Sequence, residues 1–242
     1  MIVLIGKRLG IMVLTMFAVS LLLFLLLEFS PGSVATKVLG QFASEEQKNL
    51  WLEQRGYFEP VWYRYFAWAS NFITGDLGIS HRYKAPVADI LWPRLWNTAI
   101  LGFWTFALLI PISLALGVLA GMREGSKLDR TISVTSIITT SIPEFASAVF
   151  LSAIFVFGLK LLPGTSGMIG GFEFKQLVLP VLVLLIYDFG YVTRMTRASM
   201  AEVMTTHYVR TAVLKGLPRH KVILDHALRN ALIAPFTVIM LQ

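Results

Sequence analysis

Nineteen consecutive residues near the start of the chain, Leu9–Leu27, carry no charge. As a helix rising about 1.5 Å per residue they cover roughly 29 Å, enough for the hydrocarbon core of a bilayer. Trp96–Met122 is a second uncharged run, and Gln176–Thr193 a fourth span interrupted only by Asp188. Between them Thr131–Leu159 is apolar except for Pro143 and Glu144 and the hydroxyl residues around them. Segments of this length predict an all-α polytopic membrane helical bundle. The composition agrees, with 56% hydrophobic and 14% charged residues, an apolar excess beyond that of a soluble domain.

Two alternatives for the first run are separable by length. Ser33-Val34-Ala35 has a cleavage-like pattern, but the apolar region of a signal peptide spans about 7–15 residues. Leu9–Leu27 is longer and reads as a retained anchor. The net charge of +7 does not point to nucleic acid, because the basic residues are divided among segments separated by apolar spans. Twelve Lys and Arg residues fall in the N-terminus, the Arg123–Arg130 loop and Arg194–Arg229, against two in Lys160–Gln176. The positive-inside rule then predicts a cytoplasmic N-terminus, and it leaves the long first loop aside. There is no cysteine, which excludes disulfides and thiolate metal sites.

The most polar run between apolar ones is Tyr208–Arg229, YVRTAVLKGLPRHKVILDHALR. Val209, Ala212 and Val213 recur at helical spacing. Gly216 suits the left-handed residue that ends a helix, and Pro218 the first position of the next. The second helix would gather Leu224, Ala227, Leu228 and Ala231 on one face. Arg219, His220 and Lys221 fall in its first turn, where the helix dipole disfavours cations. An outside acceptor is expected, either anionic lipid or a cytoplasmic partner.

The order of these residues resembles the cytoplasmic coupling loop of bacterial ABC importer permeases. It is closest to the dipeptide, oligopeptide and nickel permease family. Arg210-Thr211-Ala212 stands at that loop's Glu-Ala-Ala, Gly216 at its Gly, and His226-Ala227-Leu228-Arg229 at its last four positions. Tyr208–Gly216 and His226–Leu232 resemble the peptide branch's YxRTAxxKG and HALRNAL strings. Further similar strings are Tyr63–Trp68, Gly75–Ser80, Arg123–Arg130 and Ser141-Ile142-Pro143 with Phe145.

The resemblance implies a type I importer transmembrane domain over residues 95–242, with a coupling loop at 198–229. Residues 1–94 would supply the first span and an external, periplasmic segment. Tyr208, Arg210, Thr211, Ala212, Lys215, Gly216, Leu217, Arg219, His226 and Leu228 are the implied ATPase-coupling residues. The implied partners are a second permease subunit in a heterodimer, two cytoplasmic ABC ATPases, a periplasmic substrate-binding protein and membrane lipid, with no nucleic acid. The implied place is the bacterial inner membrane and the implied cargo a peptide, a related small solute or a nickel chelate. Asn230–Gln242 covers only about 20 Å as a helix, so by this resemblance the chain is incomplete at its C-terminus.

The aromatic cluster Trp62, Tyr63, Tyr65, Phe66, Trp68 and Phe72 reads as an interfacial belt or small local core, or else as a cap receiving a delivery protein. Glu144 and Asp188 are candidates for a translocation path, because an embedded carboxylate needs a partner or water. No Walker, His-Glu-x-x-His or Gly-x-Ser-x-Gly string is present, so no catalytic residue, cofactor or metal is expected. His81, His207, His220 and His226 do not form a ligand set by spacing. Two other functions compete: a membrane enzyme using Glu144 and Asp188 as an acid/base pair, which requires a shared wet cavity, and a lipid-binding scaffold.

Overall fold

The computed structural model describes residues 2–28, 34–80, 82–168 and 170–240. They divide into two compact units, residues 1–94 and 95–242. Ser33 of the cleavage-like pattern, His81 and the last two residues lie outside the described set.

The first unit begins with α1 (Ile2–Glu28), longer than the uncharged run because Lys7 and Arg8 join its first turns. Then follow α2 (Val34–Leu39), α3 (Glu45–Gln54), α4 (Val61–Ile73) and the two-residue antiparallel strands β1 (Ile79–Ser80) and β2 (Ala85–Pro86). Ser44 starts α3 through a reciprocal cap: its Oγ accepts from the Gln47 amide at 3.2 Å, and Gln47 Oε1 accepts from the Ser44 amide at 3.1 Å. The aromatic cluster of α4 is partly a local core. Tyr65 is buried, shares a 2.8 Å hydroxyl bond with Ser20, and meets the rings of Phe17 and Phe24 edge-on at 5.8 and 5.4 Å. Trp62, Tyr63, Phe66 and Phe72 remain exposed.

In the second unit α5 (Val87–Gly121, entering from the first), α6 (Lys127–Ser141), α7 (Glu144–Ser152) and α8 (Phe174–Met204) are followed by the short helices α9 (His207–Leu214), α10 (Arg219–Lys221), α11 (Arg229–Ala231) and α12 (Ile233–Ile239). π-helical turns at Ala153–Gly158 extend α7, and others at Val222–Leu228 join α10 to α11. Among the described residues Val3–Leu27, Val87–Gly121 and Phe174–Met204 are long and apolar enough to cross a membrane. Two further bent pairs pass the same test jointly.

One bent pair is the apolar region around Pro143, which turns through 92°. The residue before a proline is pushed out of the helical region, and Ile142 accordingly sits at φ −88°, ψ 120°. Pro143 then caps α7 and places Glu144 in its first turn, where the helix dipole favours an anion. The other bent pair joins Arg219–Ala231 to Ile233–Ile239 at 44°, so the last apolar run continues the elbow instead of standing alone.

The central element is α8, against which α6, α7, α11 and α12 pack. Small residues set the spacing. On α5 Thr105, Leu109, Ser113, Gly117 and Gly121 are buried at four-residue intervals. A Cβ on Gly117 would lie 2.8 Å from the Thr193 carbonyl, and one on Gly121 2.7 Å from the Arg197 carbonyl. Close helix approach through small residues is how apolar helices associate where lipid is as apolar as they are.

Candidate coupling elbow and membrane-embedded acids

α9 ends in a nested pair of turn bonds. The Leu217 amide donates to the Ala212 carbonyl at 3.4 Å, and the Gly216 amide to Val213 at 3.0 Å. Gly216 has φ +74°, the left-handed residue this ending requires. Leu217 folds back against the core that contains Ala212. Pro218, at φ −63° and ψ 142°, precedes α10 as its cap, one position earlier than its expected place inside the helix. An extended ψ lets the chain turn before helical bonding starts.

The inner face of the elbow is well defined. Val209, Ala212, Val222, Ala227 and Ala231 are buried around Met200 of α8, with Val118 and Met122 packed alongside. Two expected inner residues lie outside it: Val213 is 56% and Leu224 59% exposed. The reason at Leu224 is the π-helical run Val222–Leu228, whose i→i+5 bonding brings residues five apart onto one face. Val222 and Ala227 have that spacing. Val213 and Leu214, the latter 81% exposed, instead make an apolar tip on the outer side of α9.

The remaining expected elbow residues divide between structure and surface. The Tyr208 hydroxyl accepts from Asn230 Nδ2 at 2.9 Å and ties α9 to α11, and Thr211 Oγ1 donates to the His207 carbonyl at 2.8 Å. Leu217, His226 and Leu228 are half-buried, whereas Arg210, Lys215, Arg219 and Arg229 are exposed. Among the described residues none of these four cations pairs with a carboxylate.

Glu144 and Asp188 line different hollows. Glu144 borders a cavity of about 300 Å³ with Leu101, Ser152, the Pro163–Ser166 loop, Gln176 and Pro180. Asp188 borders one of about 400 Å³ with Thr140, Tyr187, Tyr191 and Arg194. Pro180 has no N–H to return to the Gln176 carbonyl. Among the described residues no group of three or more metal-ligating side chains lies together.

Two features escaped the sequence reading. Asp129 in α6 and Arg197 in α8 form a bidentate pair, with Nε–Oδ1 3.0 Å and Nη2–Oδ2 2.8 Å. Gly190 of α8 abuts the Ser136 carbonyl of α6. Neither Asp129–Arg197 nor Gly190 has a local signature in the sequence.

The fold is that of a multi-span α-helical membrane protein whose elbow leaves an apolar tip and cations exposed. The comparisons make this specific. Residues 113–242 match the family "Binding-protein-dependent transport system inner membrane component", and the chain belongs to that family. The oligopeptide transport system permease protein AppB of Bacillus subtilis is 32% identical over 91% of this chain and 72% of its own length. The probable peptide ABC transporter permease protein y4tP of Sinorhizobium fredii is 33% identical, covering 96% and 76%. The glutathione transport system permease protein GsiC of Shigella flexneri is 33% identical, covering 98% and 76%. This chain is therefore a multi-pass inner-membrane permease subunit of an ABC importer. It is a non-catalytic subunit, and ATP hydrolysis resides on separate subunits. ATPase and substrate-binding partners follow from the family.

Proposed function

We propose that the chain forms one half of a heterodimeric peptide permease, served by two cytoplasmic ABC ATPases and a periplasmic binding protein. The observation that carries this reading is the two-sided elbow: its inner face is fixed on α8 while Val213, Leu214 and the exposed cations face outward. Tyr208, Arg210, Thr211, Ala212, Lys215, Gly216, Leu217, Arg219, His226 and Leu228 then act together, the buried ones holding the shape and the exposed ones meeting an ATPase. Peptide cargo is supported by the relatives, named for oligopeptide, peptide and glutathione transport. The segment after α1 would face the binding protein.

The elbow must lie on the ATP side of the membrane. Reporter fusions at Gly125 and Gly216 should give cytoplasmic signals, and fusions at Ser70 and Gly170 periplasmic ones, following the charge asymmetry. A periplasmic signal from Gly216 would rule out ATPase coupling through the elbow.

Glu144 and Asp188 would border the translocation path. Asp188 is half-buried within α8, whereas Glu144 is exposed at a helix start that favours its charge. Asp188→Asn should lower uptake of a labelled tripeptide about tenfold, against less than about threefold for Glu144→Gln, because the embedded acid is the more constrained. Wild-type assembly and uptake for Asp188→Asn would remove it from the path.

A further inference from the structure

Two specific contacts stand out where α6 packs on α8. Midway along α6, the Gly190 backbone abuts the Ser136 carbonyl. At the elbow end, Arg197 of α8 grips Asp129 through two hydrogen bonds and reaches Glu124 Oε1 at 3.4 Å. Asp129 is 4% exposed. It also accepts from the Gly125 amide at 2.9 Å and the Ser133 hydroxyl at 3.3 Å, so its carboxylate is fully engaged. A bidentate guanidinium–carboxylate pair fixes orientation as well as distance.

The position of this pair is what gives it a role. Arg197 lies three residues before Met200, the α8 side chain around which the elbow core is built. Gly121 of α5 touches both the Arg197 carbonyl and the Met200 side chain. From Asp129, α6 runs to the 92° bend at Pro143, beyond which Glu144 borders its cavity. A continuous set of packed elements thus joins the elbow to that cavity, and the ion pair is the joint nearest the elbow.

We propose that Asp129–Arg197 is a positioning pair of the transport cycle, locking α6 to α8 so that elbow displacement reaches the Pro143 bend. This rests on the reading of the elbow as the ATPase contact. Packed interfaces switch between discrete arrangements instead of deforming smoothly, so a joint with fixed geometry passes on a shift that a loose contact would absorb. The pair touches no substrate and acts only through α6.

The absence of cysteine permits a test that needs no substrate. Spin labels are placed singly at Ser141→Cys, the far end of α6, and at His220→Cys on the elbow; both sites are exposed. The whole importer is reconstituted with its partner subunits and compared with and without ATP and vanadate. In the otherwise native chain both labels should respond. With Arg197→Gln the His220 label should still respond, while the Ser141 response falls about tenfold, within the range of coupling between linked sites. Arg197→Lys, which keeps charge without the fork, should give an intermediate loss at Ser141. If Arg197→Gln lowers the membrane level, Asp129→Asn/Arg197→Gln removes both charges and should reproduce the selective loss.

Full response at both labels in Arg197→Gln overturns the proposal. So does parallel loss at both labels in the single and double variants, which marks the pair as a structural brace. A native chain whose His220 label is silent defeats the elbow reading itself, which is a different result from either.

Discussion

Gly190→Val should remove most folded protein from the membrane, whereas Gly102→Val should leave its level near wild type. A Cβ on Gly190 would overlap the Ser136 carbonyl and lie 2.5 Å from Thr139 Oγ1 and 2.8 Å from Thr140 Cγ2. The first of these is backbone within α6 and cannot rotate aside. Overpacking typically costs about 1–3 kcal/mol where side chains can shift, and here a helix must move instead. Lifting α6 from α8 would also strain the part-buried Asp129–Arg197 pair. Gly102 has nothing within 4 Å of a Cβ, so the same substitution there controls for glycine replacement in a membrane helix. Membrane level by immunoblot and the thermal aggregation midpoint measure the effect. Normal accumulation and midpoint for Gly190→Val would show that α6 and α8 do not depend on this approach.

Local features of the chain were legible and tertiary ones were not. The Gly216 helix ending follows from one residue type whose backbone freedom is unusual. Pro143 marks an interruption for the same kind of reason, although the 92° direction of the bend depends on packing against α8. The inner face of the second elbow helix was misread at Leu224 because a 3.6-residue period was assumed, and π-helical turns shift the face without any change in residue type. Gly190 sits between Phe189 and Tyr191 in a sequence with no small-residue period, so its contact with Ser136 is visible only after folding. Asp129 and Arg197 are 68 residues apart, and many other pairings of the same charges were compatible with the sequence. Glu144 and Asp188 stood out as embedded acids, but their separation into two hollows depends on where Pro143 sends α7.

Gly216→Val should insert normally and yet lose most ATPase docking. No atom lies within 4 Å of a Cβ at this position, so the substitution meets no steric barrier within the chain. Its cost is conformational. At φ +74° an L-residue places Cβ against the following carbonyl, at about 1–2 kcal/mol, and β-branching makes that worse. The chain relieves this strain by abandoning the left-handed turn, which breaks the Leu217–Ala212 and Gly216–Val213 bonds and frees Leu217 from the elbow core. The Val213–Leu214 tip then no longer holds a fixed orientation to the cations of α10. A penalty of about 1–2 kcal/mol corresponds to a factor of roughly 5–30 in the docking equilibrium. Gly216→Ala should lose less, and Gly216→Asn least, because asparagine tolerates the left-handed region. The measurements are membrane level, ATPase co-purification and ATP hydrolysis by the whole complex. An order of Asn, Ala, Val in decreasing docking identifies the turn as the requirement. Equal loss for Asn and Val would instead mean that the partner packs on bare backbone at Gly216, and undiminished docking for Val would remove this residue from the coupling surface.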